Sequence, residues 1–312
     1  IELLDGTKIP VVGLGVALSG EATYDAVRWA INDYGYRLID TAAEESYGNE
    51  DVVGQVIREY YNGNIVDDDD NDIYVTTKLW DSDHGFYSTL SAFQESYDQL
   101  DLDKDRPIDL YLMHSPFGGR LIETWDAMLY IQTDGYVKSI GVSNFGIEHL
   151  RVIKDYGRPL PVVNQIEMHP LVYKERLPLI RWCEDHNIRI QAYGSILHGY
   201  KKWLSSDILT SMSTTKNRTV AQLLLRWAIQ HDFLIIPKSI RKERIEENAN
   251  LYDFALSEDE MTTLDNWGDQ IITDKQKKRR FIYKKDWNWN PIDEAPLHLG
   301  QTEGYWPNYE TV

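Results

Sequence analysis

Short apolar runs alternate with longer amphipathic segments along most of this 312-residue chain. The short runs are rich in β-branched residues, which favours strands, whereas the longer segments repeat apolar residues at helical spacing. The strand pattern occurs at 11–15, 37–40, 73–78, 108–114, 137–143, 162–167, 188–193 and 234–237. The helical pattern is clearest at 24–32, 51–60, 122–132 and 220–230.

Eight strand–helix units without a gap predict an α/β fold of the (β/α)8 TIM-barrel type. A doubly wound sheet usually has fewer strands and a glycine-rich first turn, which this chain lacks. Gly135 and Gly157 stand where helices need a left-handed end, and Ser257 with Glu260 predicts a capping box.

The acidic run 67–70 and everything after about residue 268 depart from this alternation. Residues 1–10 are typical of a β-hairpin rather than a signal peptide. We expect one barrel domain over 1–312, in which 269–312 form an extended C-terminal tail. The tail is too aromatic for a disordered segment, so we expect it to pack on the barrel. Its aromatic residues include Trp287, Trp289, Tyr305, Trp306 and Tyr309.

Composition narrows the choice of partners and compartment. The net charge of −18 disfavours binding to nucleic acid or to an anionic membrane, and we expect neither partner. One basic stretch, 275–285, is a nucleic-acid or nuclear-targeting patch, a solvated face, or an anion-binding flap near the barrel mouth, and we favour the last two. The acidic run 67–70 is expected to be a surface loop. Cys183 is the only cysteine, which indicates a reducing, cytoplasmic location and an inert buried thiol.

Polar residues end the predicted strands. In a (β/α)8 barrel the carboxyl ends of all strands meet at one mouth, where active sites lie. We therefore expect these side chains to converge in one pocket. They are Asp40, Lys78, His114, Ser143 with Asn144, Gln165, Tyr193, and Lys238 with Ser239.

The same stretches resemble the aldo-keto reductase family over about residues 1–264. Six motifs occur in the family's order, and together they are far more specific than any one alone. They are Asp40-Thr41-Ala42, Tyr47-Gly48-Asn49-Glu50, Thr77-Lys78-Leu79-Trp80, Asp109-Leu110-Tyr111-Leu112-Met113-His114, Gly141-Val142-Ser143-Asn144-Phe145 and Ile236-Pro237-Lys238-Ser239.

The resemblance implies hydride transfer from a nicotinamide to a carbonyl carbon, with Tyr47 as the general acid. A phenol is a weak acid at neutral pH, so it needs a neighbouring cation. By resemblance Lys78 supplies that charge, Asp40 holds Lys78, and His114 orients the carbonyl oxygen. The alternative for Asp40 and Lys78 alone is a structural ion pair.

The interval from Asp40 to Tyr47 is longer than the family usually shows. Either the loop bulges and returns Tyr47 to its usual place, which we favour because Asn49 and Glu50 follow as expected, or Tyr47 is displaced and activity is weak. Glu44 and Glu45 in this loop are expected to disfavour anionic substrates.

The resemblance also implies an NADPH site. Ser143, Asn144 and Gln165 are expected to bind the carboxamide, and Tyr193 to stack on the nicotinamide ring. Cations at 238, 241 and 244 favour the 2′-phosphate of NADPH over NADH. The residues implied for the adenosine phosphate are Lys238, Ser239, Arg241, Arg244, Glu247 and Asn248.

Substrate choice is less constrained. By resemblance, Trp80 is expected to form one aromatic wall of the substrate pocket. Ala17 and Ser115 stand where many members of the aldo-keto reductase family have bulky aromatic residues. We expect the substrate to be a small molecule with a carbonyl group, namely a bulky or neutral aldehyde, ketone or sugar, and the protein to be a monomer or weak dimer. Glu167 and His169 have metal-ligand spacing, but no metal is expected, because this stretch recurs in metal-free relatives. An NADPH-binding sensor with little turnover is the alternative function, and a barrel isomerase or hydrolase is disfavoured by the nicotinamide motifs.

Overall fold

Eight parallel strands form one sheet in which each strand pairs with the next along the chain. The computed structural model describes residues 1–43, 47–63, 72–103, 106–271, 292 and 295–300. The strands are β1 (Leu14–Gly15), β2 (Leu38–Asp40), β3 (Tyr74–Leu79), β4 (Ile108–Met113), β5 (Val137–Ser143), β6 (Val163–Glu167), β7 (Arg189–Tyr193) and β8 (Leu234–Ile235). All eight predicted strands are therefore confirmed.

The sheet closes on itself where β8 meets the segment that leads into β1. The backbone N–H of Gly13 donates to the oxygen of Ile235 at 2.8 Å, and the N–H of Ile235 donates to Val11 at 2.8 Å. A further parallel bridge joins Gly15 to Lys238. Closure removes the exposed sheet edges, and the predicted (β/α)8 barrel is confirmed.

Helices surround the barrel. They are α1 (Thr23–Arg28), α2 (Glu50–Gly63), α3 (Phe86–Leu100), α4 (Leu121–Thr133), α5 (Ile147–Asp155), α6 (Tyr173–Asp185), α7 (Lys201–Leu204), α8 (Asp207–Lys216), α9 (Val220–Gln230), α10 (Lys242–Ala249), α11 (Glu258–Asp265) and α12 (Trp267–Ile271). A π-helical turn, Trp29–Asp33, extends α1. Gly135 and Gly157 adopt positive φ, and Ser257 caps α11 together with Glu260, as predicted.

Two apolar cores hold these layers together. The larger one fills the space between strands and helices, where Trp125 and Trp227 are fully buried. The smaller one lies inside the barrel and includes Leu3 and Ile9 of the N-terminal hairpin. The hairpin closes with an antiparallel bridge between Glu2 and Lys8. Since Leu3 and Ile9 belong to the core inside the barrel, the hairpin fills one end of the barrel and leaves the other end as its mouth.

The side chains inside the barrel change from apolar to polar toward the carboxyl ends of the strands, and this change follows from the alternation of residues along each strand. Leu38 in β2 and Leu112 in β4 belong to the core inside the barrel. Alternate strand residues face the same side, so the next inward positions are Asp40 and His114. The polar side chains at the carboxyl ends of the strands are thereby directed into the open mouth.

The described part of the C-terminal extension contacts the helices beside the mouth. The N–H of Leu121 donates to His298, and the N–H of Ile122 donates to Leu299. The carbonyl of Ala295 lies 3.0 Å from His149 Nε2. The predicted Glu44–Glu45 loop segment, the acidic run 67–70, the basic stretch 275–285 and the tail tryptophans lie outside the described residues. Within the described ranges, no helix is long and apolar enough to cross a membrane.

Cys183 is buried and free, as expected of an inert thiol. Burial raises the pKa of its thiol to about 12, although a hydrogen bond with Asn164 acts the other way. The thiolate is therefore scarce at neutral pH, and Cys183 is not a nucleophile in this structure.

Candidate active site

A buried ion pair lies at the centre of the mouth. Lys78 Nζ is 2.6 Å from Asp40 Oδ1 and also donates to the carbonyl oxygen of Thr41 at 2.7 Å. The two charged side chains are only 0% and 1% exposed. Burial lowers the pKa of Lys78, and the Asp40 carboxylate opposes that effect. The charge of this ammonium therefore depends strongly on Asp40.

Tyr47 lies directly over this pair. Its half-buried ring has its centroid 5.0 Å from Lys78 Nζ and 6.1 Å from the imidazole centroid of His114, which it meets edge-on. The structure thus brings together all four residues for which the sequence implied catalytic roles, despite the long interval between Asp40 and Tyr47.

His114 is held in the neutral form. Burial, followed by the positive charge of Lys78, puts the pKa of its imidazole well below the usual value. The indole of Trp80 packs against it at a centroid distance of 4.8 Å. A neutral imidazole carries one N–H donor, which is the form needed to hydrogen-bond a carbonyl oxygen.

A second layer of polar residues supports the cluster, and sequence reasoning assigned it no function. Asn49 accepts a hydrogen bond from Thr41 at 2.6 Å and donates to the carbonyl of Val16 at 3.0 Å. The buried carboxyl of Glu50 accepts from Thr77, and burial raises its pKa. Both residues follow Tyr47 closely in sequence, so this layer fixes the loop that carries the tyrosine.

On the opposite side of the mouth, four residues predicted to bind nicotinamide form one network. The amide nitrogen of Asn144 donates to the carbonyl of His114 and to Ser143 Oγ, each at 3.0 Å. Its oxygen accepts from the Tyr193 hydroxyl at 2.8 Å. Asn144 has a positive φ of 60°, which asparagine tolerates better than most residues. This conformation lets one side chain connect β4 to β7.

Gln165 links this network to the ion pair. Its amide nitrogen donates to Asp40 Oδ2 at 2.8 Å and to Gln191 Oε1 at 2.7 Å. The Ser143 hydroxyl donates to the backbone oxygen of Gln165 at 2.9 Å. Sequence reasoning overlooked Gln191, although it occupies an inward position two residues before Tyr193. The two sides of the mouth are consequently one continuous hydrogen-bonded unit.

Three exposed cations, Lys238, Arg241 and Arg244, gather where β8 leads into α10. In the part of the chain that the structure describes, none of them pairs with a carboxylate. Ser239 is buried, and its hydroxyl accepts from the backbone N–H of Arg241 at 3.1 Å, which shapes the turn. Unpaired cations around one turn form a positive surface for a phosphate group.

The two other residues predicted for this region face the protein. The carboxylate of Glu247 accepts a hydrogen bond from the Thr219 hydroxyl at the start of α9. Asn248 is 3% exposed. The hydrogen bond of Glu247 thus ties α10 to the start of α9, and the predicted cofactor contacts of both residues remain predictions.

The substrate side contains an ionisable group that sequence reasoning missed. Ser115 is buried, and its hydroxyl lies 2.7 and 2.8 Å from the two carboxylate oxygens of Asp81. Burial raises the pKa of Asp81 to about 6, with the Ser115 hydrogen bond acting in the opposite direction. Asp81 lies in the turn after β3, two residues beyond the end of the strand, where the sequence pattern does not fix the direction of a side chain. Ala17 is half-buried.

Comparison with known proteins places this site in a family. The profile described as "Aldo/keto reductase family" matches residues 12–269. The chain is 37% identical to a glyoxal reductase of Bacillus subtilis, with 85% of this chain and 91% of the relative aligned. It is 36% identical to the methylglyoxal reductase DkgA of Escherichia coli, with 84% and 90% aligned.

Solved structures give the same result. The structure of a Bombyx mori aldo-keto reductase in complex with NADP superposes with a TM-score of 0.77 at 32% identity, covering 93% of this chain and 98% of the other. The sequence profile covers residues 12–269, and the structural match covers 93% of this chain. The chain therefore belongs to the aldo/keto reductase family of oxidoreductases.

Proposed function

We propose that this protein is an NADPH-dependent reductase that converts an aldehyde, ketone or sugar carbonyl to an alcohol, with Tyr47 as the general acid. The observation that carries the proposal is the contact of Tyr47 with the buried Lys78–Asp40 pair and with His114. A phenol, an ammonium and a neutral imidazole at one open mouth supply the groups that carbonyl reduction requires.

The proton step follows from this cluster. NADPH, when bound, supplies the hydride that forms the new C–H bond at the carbonyl carbon. Tyr47 gives its phenolic proton to the carbonyl oxygen, so that the product is a neutral alcohol and Tyr47 becomes a phenolate. The buried ammonium of Lys78 stabilises that phenolate, and Asp40 keeps the ammonium charged and in place. Solvent then returns a proton to Tyr47.

His114 has a positioning part in the proposal. Because its imidazole is neutral, it has a donor nitrogen to offer to the carbonyl oxygen and does not compete with Tyr47 as an acid. Its ring is packed against Trp80, which limits rotation of the imidazole. A carbonyl held between the phenol and the imidazole would present its carbon toward the network of Asn144 and Tyr193.

The cofactor assignment rests on that network and on the cations gathered where β8 leads into α10. The half-buried ring of Tyr193 is oriented by its hydrogen bond to Asn144, which suits it to stack on a nicotinamide. Lys238, Arg241 and Arg244 have no carboxylate partner within the described ranges, so a 2′-phosphate would supply the missing negative charge. This is the reason for preferring NADPH to NADH.

For the substrate we propose a neutral carbonyl compound. Relatives named as glyoxal and methylglyoxal reductases make α-oxoaldehydes the first candidates. The Asp81 carboxyl beside Ser115 adds negative charge to the mouth as it ionises, which disfavours anionic substrates above about pH 6. Glu44 and Glu45, predicted to lie near the mouth, would have the same effect.

The test is loss of reduced cofactor absorbance with a panel of glyoxal, methylglyoxal, neutral aldehydes, ketones, aldoses and an α-keto acid. We expect turnover with NADPH, weaker turnover with NADH, and the α-keto acid to be the poorest substrate. NADPH binding, followed by tryptophan fluorescence, without turnover on any carbonyl would favour the sensor alternative. Failure to bind NADPH would overturn both functions.

A further inference from the structure

A second cluster of chemically capable side chains lies at the mouth beside Tyr193, outside the proposed reaction centre. Glu167 ends β6, His169 follows it, and His198 lies in the turn after β7. Glu167 Oε1 is 3.0 Å from His169 Nε2 and 2.9 Å from His198 Nε2. The three donor atoms all lie within 4.8 Å of one another. Two imidazoles thus converge on one carboxylate oxygen.

Within the described residues, no lysine or arginine side chain pairs with the buried carboxylate of Glu167. Glu167 is 1% exposed, and among the described residues the side chains within hydrogen-bond distance of its carboxylate are those of His169 and His198. A carboxylate buried this deeply is costly unless it is paired, and its partners in this structure are the two imidazoles.

The backbone is shaped to bring His198 to this position. Leu197 and His198 have φ values of 50° and 49°, an uncommon conformation for residues with side chains. Gly194 provides the space, because a Cβ at that position would lie 2.4 Å from His198 Nε2. The turn after β7 accepts backbone strain and depends on a glycine, and both features place the imidazole against Glu167.

We propose that Glu167, His169 and His198 bind a divalent transition-metal ion, with Zn²⁺ as the first candidate. Two imidazoles and one carboxylate are a known Zn²⁺ ligand set that leaves one coordination position open. Zn²⁺ binds such ligands at about 2.0–2.2 Å, which puts neighbouring donors roughly 3.3 Å apart in a tetrahedron. The two carboxylate–imidazole distances, 3.0 and 2.9 Å, are close to that value, and the two imidazole nitrogens lie within 4.8 Å of each other.

His198 changes the expectation drawn from sequence. Glu167 and His169 alone supply two donors, which do not make a site, and no metal was predicted for them. The third donor comes from a turn 31 residues after Glu167. The side chain of His198 is 20% exposed, which gives an ion access from solvent. A bound ion would fasten the turn after β7 to β6, beside the ring of Tyr193.

The test uses the untagged full chain after removal of metals with a chelator. Co²⁺ is added as a spectroscopic substitute for Zn²⁺, and Zn²⁺ binding is measured by calorimetry. We expect one ion per chain, with the visible absorption bands of tetrahedral Co²⁺, which Zn²⁺ abolishes by displacement. His198→Ala should weaken Zn²⁺ binding by more than ~100-fold, because loss of even an outer partner costs about 10–100-fold.

Two further variants keep the result interpretable. His186→Ala removes a histidine that stacks on Trp182 away from the cluster, and it should bind Co²⁺ like the unaltered chain. Glu167→Gln should lose the tetrahedral spectrum while its circular dichroism remains that of a folded barrel. Absence of tetrahedral bands in the unaltered chain, or equal Zn²⁺ affinity in His198→Ala, would overturn the proposal and leave a carboxylate that shares protons with two histidines.

Discussion

Neutralising Asp40 should destabilise the barrel as well as reduce turnover. Lys78 and Asp40 are in contact at 2.6 Å and are 0% and 1% exposed. At an effective dielectric constant near 20, their attraction is about 6 kcal/mol. Desolvation offsets part of this attraction, but removing one partner leaves the other charge buried alone. We therefore expect Asp40→Asn to lower the free energy of unfolding by about 3–5 kcal/mol at neutral pH.

The double variant separates charge imbalance from loss of packing. Lys78→Met removes the ammonium, so Asp40→Asn with Lys78→Met should recover most of the stability lost by Asp40→Asn. The assay is urea unfolding followed by fluorescence and circular dichroism, with the m value required to stay constant. Losses below about 1 kcal/mol for each single variant, adding without coupling, would refute a mutually dependent charged pair.

The pH dependence of Asp40→Asn provides an independent check. Burial already lowers the pKa of Lys78 and Asp40 opposes that effect, so loss of the carboxylate should lower it further. Between the lowered native pKa and the normal unfolded pKa, the unfolded chain binds more protons than the native one. Stability therefore rises with pH through this window. The deficit of Asp40→Asn should shrink as pH rises, and a constant deficit would contradict the assignment.

Three further changes probe other parts of the structure. Asp81 has a pKa raised to about 6, so the native protein holds a proton that the unfolded chain has lost, and its stability falls as pH rises from about 4 to 6. Asp81→Asn should remove that fall. Between pH 4 and pH 7 its free energy of unfolding in urea should therefore gain, relative to the unaltered chain, roughly 3 kcal/mol at most. An unchanged pH profile would count against the raised pKa of Asp81. Arg244→Ala should raise the NADPH dissociation constant ~10- to 100-fold with little effect on NADH, as expected for one charged hydrogen bond, whereas Arg151→Ala should alter neither; equal losses for both cofactors would remove the 2′-phosphate assignment. Gly54→Ala would put a Cβ 1.8 Å from the carbonyl oxygen of Leu100, which ends α3, so it should lower the free energy of unfolding by at least about 1–3 kcal/mol. Gly63→Ala, whose Cβ would meet no described atom within 4 Å, should be nearly neutral.

The barrel was predictable because its strands and helices have different periods. All eight strands occur where the apolar runs stand, and helices such as α9 match their predicted bounds. The end strands are shorter than predicted: β1 is only Leu14–Gly15 and β8 only Leu234–Ile235. At this closing seam the backbone makes isolated bridges instead of a continuous ladder. The apolar pattern predicts which residues are buried, but it does not predict where the hydrogen-bonded ladder between neighbouring strands is interrupted.

The residues at strand ends were also predictable, because their direction follows from alternation along the strand. Asp40, Lys78 and His114 all take inward positions. Asp81 and His198 were missed because they lie in turns, where no period fixes the direction of a side chain. His198 reaches Glu167 through a left-handed turn that depends on Gly194. Such a contact becomes visible only when the strands have been arranged in space.

The most direct test of the proposed reductase is a comparison of the unaltered chain with Tyr47→Phe. NADPH oxidation is measured with the best carbonyl of the panel, and NADPH affinity is measured separately by tryptophan fluorescence. We predict that Tyr47→Phe lowers kcat by ~100- to 10,000-fold, the range expected for a lost general acid, and leaves NADPH affinity nearly unchanged. Turnover by Tyr47→Phe at the rate of the unaltered chain would contradict the assignment of Tyr47 as the acid.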